Sequence, residues 1–119
     1  MPHLYVAYTD NLAGLPGQQL LTELNAFVCS HPSILDEADV KARLLPVSQF
    51  EIGSAPANRG FVHVQLRLLA GRTDTAKKEL SEGIAAVLRR LTPQPAGMMV
   101  QLSVEIADMD KPSYYKGRL

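Results

Sequence analysis

Two segments alternate so regularly between apolar and polar side chains that they constrain the fold more than any other feature. In Phe61-Val-His-Val-Gln-Leu-Arg-Leu-Leu69, residues Val62, Val64, Leu66 and Leu68 share one face, and His63, Gln65 and Arg67 share the other. In Met98-Met-Val-Gln-Leu-Ser-Val-Glu-Ile106, residues Val100, Leu102, Val104 and Ile106 oppose Gln101, Ser103 and Glu105. A period of two is the mark of strands in a sheet with one greasy face, and that face must be covered. Two further segments read as strands. His3-Leu-Tyr-Val-Ala-Tyr8 is rich in aromatic and β-branched residues. The other begins near Val40, reaches about Ile52 and is expected to bend at Pro46.

The cover comes from two helical patterns. From Leu15 to about Cys29, residues Leu20, Leu21, Leu24, Phe27 and Val28 recur at helical spacing, and Pro16 suits the first helical position. From about Thr73 to Leu91, the stripe is Ala76, Leu80, Ile84, Val87, Leu88 and Leu91, with Thr73 or Asp74 placed to cap the first turn. The order is therefore strand, helix, strand, strand, helix, strand. Two βαβ halves, about 1–57 and 58–119, meet in the loop from Gly53 to Gly60. This predicts a single α+β domain over residues 1–119: a four-stranded mixed sheet with both helices on one face, of the ferredoxin-like type. The uncovered polar face has two readings, a surface open to water or the interior of an oligomer.

At 119 residues the chain is long enough for one hydrophobic core without staples. Twelve basic and twelve acidic residues leave no net charge, which gives no support to nucleic-acid binding. A single cysteine, Cys29, excludes an internal disulfide framework and reads as a small buried hydrophobe. No apolar run is long enough for a membrane span, and no signal-peptide pattern precedes the first strand. A soluble, cytoplasmic protein is expected. His3, His31 and His63 are scattered and match no ligand motif, so they read as structural, with no metal site. Tyr114, Tyr115, Lys116 and Arg118 form a basic, aromatic tail that reads as packing on a neighbour or fraying.

The start of the chain carries the clearest chemistry. Proline at position 2 is small enough to permit removal of Met1. That would leave a secondary amine held by the first strand. An α-amine titrates near pH 7.7–8.0. Burial and nearby cations lower that value, which suits a general base at neutral pH. Lys41 and Arg43 share a face of the second strand, and Arg72 follows the third. An arginine there is suited to gripping a carboxylate at two points.

Three segments together resemble the 5-carboxymethyl-2-hydroxymuconate isomerase family of the tautomerase superfamily. They are Met1-Pro-His-Leu-Tyr-Val with Thr9-Asp-Asn11, Phe61-Val-His-Val-Gln-Leu with Ala70-Gly-Arg-Thr73, and Ser103-Val-Glu-Ile106 with Tyr115-Lys116. The resemblance implies a homotrimer with sheets lining its interior, and no cofactor. It also implies an isomerase that acts on a small anionic substrate, a carboxylated 2-hydroxydienoate, in the breakdown of homoprotocatechuate and related aromatic acids. Pro2 and Arg72 would be catalytic, with Lys41 and Arg43 binding substrate. No nucleic-acid or membrane partner is implied. Three departures stand out: Ala7 in place of an expected glutamate, Lys41 in place of an arginine, and a short tail after Lys116. The alternatives are a non-catalytic oligomeric ferredoxin-like binding module and a tautomerase-fold enzyme for another small unsaturated acid.

Overall fold

The computed structural model describes residues 1–119. Strand β1 (His3–Thr9) is followed by helix α1 (Gly17–Ser30), strands β2 (Lys41–Val47) and β3 (Arg59–Leu69), helix α2 (Asp74–Leu91) and strand β4 (Met99–Met109). Single 3-10 turns lie at Glu37–Asp39 and Lys111–Ser113. The sheet order is β2-β1-β3-β4. β1 runs parallel to β2 and antiparallel to β3, and β3 runs parallel to β4. Each parallel pair needs a crossover, and α1 and α2 supply the two. This is the expected mixed sheet with two helices on one face, and neither helix is long and apolar enough to cross a membrane.

β3 alternates as its sequence requires: Val62, Val64 and Leu66 are fully buried, while His63, Gln65 and Arg67 face the other way. Leu4 and Val6 of β1 lie beside them, also fully buried. Leu20, Leu24 and Val28 of α1, one turn apart, close over this layer with Leu80, Ile84 and Leu88 of α2. The Thr73 hydroxyl caps α2 by accepting from the Ala76 N–H at 3.1 Å.

The structure corrects three boundaries. Pro16 precedes α1 rather than opening it, because its ψ of 77° is not helical. Gly17 then starts the helix close against β2, where a Cβ would come within 2.6 Å of Leu44 Cδ1. β2 stops at Val47, not Ile52, because β1 has no further residue to pair: Thr9 faces Val47, and the Asp10 N–H donates to the Val47 carbonyl at 3.0 Å. Pro46 is tolerated because β2 is an edge strand. β4 continues to Met109, beyond Ile106, since Asp108 and Met109 pair with Leu68 and Leu69.

The helices meet where Gly83 of α2 faces Phe27 of α1, so closely that a Cβ on Gly83 would overlap the Phe27 ring. Alanine in place of glycine inside a helix ordinarily gains about 0.8–1.0 kcal/mol. Overpacking costs about 1–3 kcal/mol, so here the sign reverses. Gly83→Ala should lower the urea midpoint, and adding Phe27→Leu should recover part of the loss. An unchanged or raised midpoint for Gly83→Ala would contradict this helix contact.

Candidate active site

The parallel pairing of β1 with β2 fixes the chain start. The Lys41 N–H donates to the Pro2 carbonyl at 3.0 Å, and His3 pairs with Lys41 in the ladder. Pro2 is buried at this end of the sheet, and the amine of Met1 lies 3.2 Å from the Asp39 carbonyl oxygen, to which it donates. Beside them opens a cavity of about 370 Å³, whose walls include Pro2, Arg72, Ser33, Leu35, Asp39 and Lys116. Pro2 and Arg72, which lie 70 positions apart, thus meet in one cavity.

Arg72 is held firmly. Its Nε donates to Ser33 Oγ, its NH1 to the Leu69 carbonyl and its NH2 to the Ser33 carbonyl, each at 3.1 Å. A guanidinium has five N–H donors, so these three bonds leave two free, one on each terminal nitrogen. Those two donors remain for a carboxylate. Burial draws the Arg72 pKa below its ordinary value, against the opposing pull of Asp108. The Ser33 hydroxyl lies 2.9 Å from His31 Nδ1, and His31 Nε2 lies 3.2 Å from Glu79 Oε2. The Ser33 N–H also donates to Nδ1, at 3.3 Å, so Nδ1 is an acceptor and His31 carries its proton on Nε2. His31 therefore serves the support of Arg72.

Lys41 and Arg43 do not line this cavity. Lys41 Nζ donates to the Asp39 carbonyl at 2.7 Å. Arg43 lies on the polar sheet face, donating to His3 Nδ1 at 3.0 Å and stacked 4.4 Å above the Tyr5 ring. His3 Nε2 in turn meets the Tyr114 hydroxyl at 2.8 Å, so the C-terminal tail packs across the start of β1. Burial, then Arg43 and Lys41, lower the pKa of His3. His63 belongs to a separate network with Ser103 and Glu105, at 2.7 and 2.9 Å. The three histidines are thus apart, and no group of three or more His, Cys, Asp or Glu side chains gathers to hold a metal ion.

Ser33, Asp36 and Asp39, which the sequence did not single out, also line the cavity. Asp39 accepts from Lys116 Nζ at 2.8 Å, lies 3.4 Å from Arg118 NH2, and lies 3.6 Å from the terminal amine. Arg118 also pairs with Asp36 at 2.7 Å. The Lys116 hydrogen bond is the largest cause holding the Asp39 carboxyl down at about 2. The terminal amine is pushed below its ordinary 8.0, chiefly by burial, with Asp39 pulling the other way. Asp36 and Ser33 lie in the irregular stretch between α1 and β2, where no periodicity exists to read. Asp39 was more accessible to reasoning, because the pairing of His3 with Lys41 brings position 39 beside the chain start.

The model of the 5-carboxymethyl-2-hydroxymuconate isomerase family matches residues 2–118. The chain belongs to that family. It is similar to the crystal structure of a 5-carboxymethyl-2-hydroxymuconate isomerase from Deinococcus radiodurans R1, with 30% identity, a TM-score of 0.85, and 99% of this chain and 90% of that chain covered. A 5-carboxymethyl-2-hydroxymuconate delta-isomerase structure shares the fold at 17% identity and a TM-score of 0.74, over 100% of this chain and 88% of that one. So does a fused 4-OT wild-type symmetric trimer, at 22% identity and a TM-score of 0.71, over 98% and 92%. No curated protein sequence matches the chain. The family match makes this chain an isomerase with the ferredoxin-like fold of the tautomerases.

The Asp39 ion pairs carry a pH signature. Because folding depresses the Asp39 pKa from 3.8 to about 2, its contribution to stability is complete above 3.8 and is lost as the pH falls through about 2. The stability advantage of the wild type over Asp39→Asn should therefore shrink between about pH 5 and pH 2 in urea titrations. A difference that stays constant across that range would contradict the pairing.

Proposed function

We propose that this isomerase converts a carboxylated 2-hydroxydienoate, such as 5-carboxymethyl-2-hydroxymuconate, to its 2-keto isomer, with the Pro2 nitrogen as general base. The observation that carries this reading is the meeting of buried Pro2 with the half-free guanidinium of Arg72 in one cavity. While Met1 is attached, the Pro2 nitrogen is an amide with no basicity. Removal of Met1 makes it a secondary amine at a buried residue, and burial already lowers the pKa of the Met1 amine next to it.

The step balances simply. The amine takes the proton of the 2-hydroxyl, and the O–H electrons form the C2=O bond. The C2=C3 pair moves to C3=C4, and the C4=C5 pair takes the proton back at C5 from the ammonium. Arg72, held by Ser33 and Leu69, would bind the carboxylate next to C2 and stabilise charge developing on the oxygen. The product is an unsaturated 2-keto acid, as expected in the breakdown of aromatic acids.

The polar sheet face supports a homotrimer with that face inward. Leu45 and Met99 stand exposed on it, at 43% and 47%. Arg43 stands on the same face and Lys41 at its edge, outside their own cavity, which suits a role for both in a neighbouring subunit's site. The trimeric 4-OT relative supports the same assembly.

The decisive experiment follows loss of the dienol absorbance with protein whose intact mass shows Met1 removed. Pro2→Ala should lower kcat/KM by about two to four orders of magnitude, the usual worth of a general base. A protein retaining Met1 should be equally poor. Full activity with Met1 in place would overturn the proline as base. Inactivity of the processed wild type toward all such dienols would favour another small unsaturated acid as substrate.

A further inference from the structure

We infer that Lys116 forms a second anion subsite in the Pro2 cavity, and that Asp39 holds its place until a substrate carboxylate arrives. The inference rests on the reading of this cavity as the substrate site. Arg72 would grip the carboxylate beside C2, and Lys116 a more distant carboxylate of the same substrate.

The two cations in the cavity wall are built differently. Arg72 is immobilised by its three hydrogen bonds, which fix its two remaining donors in place. Lys116 hangs from the C-terminal tail, is 39% exposed, and makes one hydrogen bond, to Asp39. An ammonium on a four-carbon stem can swing between acceptors without losing directionality, which a guanidinium fork cannot do as freely.

Asp39 has more cationic partners than one carboxylate needs. Besides Lys116, it has Arg118 at 3.4 Å and, while Met1 is attached, the Met1 amine at 3.6 Å. Arg118 is itself anchored on Asp36. If Lys116 turns to a ligand in the Met1-free protein, Asp39 keeps Arg118 and is not orphaned, so one carboxylate is exchanged for another. Arg118 does not line the cavity, so Lys116 is the mobile cation that can make the exchange. Tyr114, bonded to His3, fixes the root of the tail and keeps the exchange local.

The test compares adipate, a six-carbon dicarboxylate, with hexanoate, its monocarboxylate counterpart, by calorimetry on Met1-free protein. Neither ligand reacts, so the readout does not depend on turnover. The wild type should bind adipate about tenfold more tightly than hexanoate, the scale of one charge-assisted hydrogen bond. Lys116→Met should abolish that preference and leave hexanoate binding unchanged. Lys116→Arg should restore part of it. Asp39→Asn, by freeing the ammonium, should tighten adipate binding. Equal loss of both ligands in Lys116→Met, or a preference that survives it, would overturn the subsite. No preference in the wild type would overturn it as well. If the adipate preference behaves as expected while processed protein turns over no dienol, the subsite stands and the proline reading fails.

Discussion

The site depends on the central position of β1. It is hydrogen-bonded on both sides, to β2 and to β3, and it buries Leu4 and Val6 completely beneath the helices. Each of those side chains contributes about 1.5–3 kcal/mol by leaving water. The first residues of most chains fray. Here the second residue is anchored by the Lys41 N–H and followed at once by a paired strand. On the proposed reading, that rigid start would let a main-chain nitrogen do chemistry that usually needs a side chain.

Around that start, charge is arranged in two tiers. Arg72 is fixed by main-chain carbonyls and by Ser33, with His31 and Glu79 behind it. On the tail side, Asp39 gathers Lys116, Arg118 and the terminal amine. On the proposed reading, the rigid tier would recognise one carboxylate beside the reacting oxygen, and Lys116 would adjust to the rest of the ligand. Burial and Asp39 pull the terminal amine in opposite directions, and burial prevails.

Much of the fold was legible because β3 and α2 state their periods plainly: Val62, Val64 and Leu66 alternate, and Leu80, Ile84 and Leu88 recur every four residues. The boundaries that shifted lie where pairing rather than local sequence decides. The end of β2 is set by the length of β1, and the end of β4 by Leu68 and Leu69 of its partner. The site was legible in part. Pro2 and Arg72 stood out by residue type and by family resemblance, and the fold brings them together. Lys41 and Arg43 stood out in the same way, but β2 turns Arg43 onto the polar face and commits Lys41 to the Asp39 carbonyl. Ser33 and Asp36 left no trace, because an irregular loop carries no pattern and the arginines they hold lie 39 and 82 positions away, whereas Asp39 is reached only through the pairing of His3 with Lys41.

The central claim is that the amino-terminal nitrogen of Pro2 is the base. It is tested most directly by nitrogen NMR titration of Met1-free protein labelled at proline, set beside the pH dependence of kcat/KM. The account predicts a single midpoint for both, below the ordinary α-amine range of about 7.7–8.0, with turnover rising as the amine loses its proton. Turnover that stays level while the amine titrates, or an amine that titrates above that range, would contradict it.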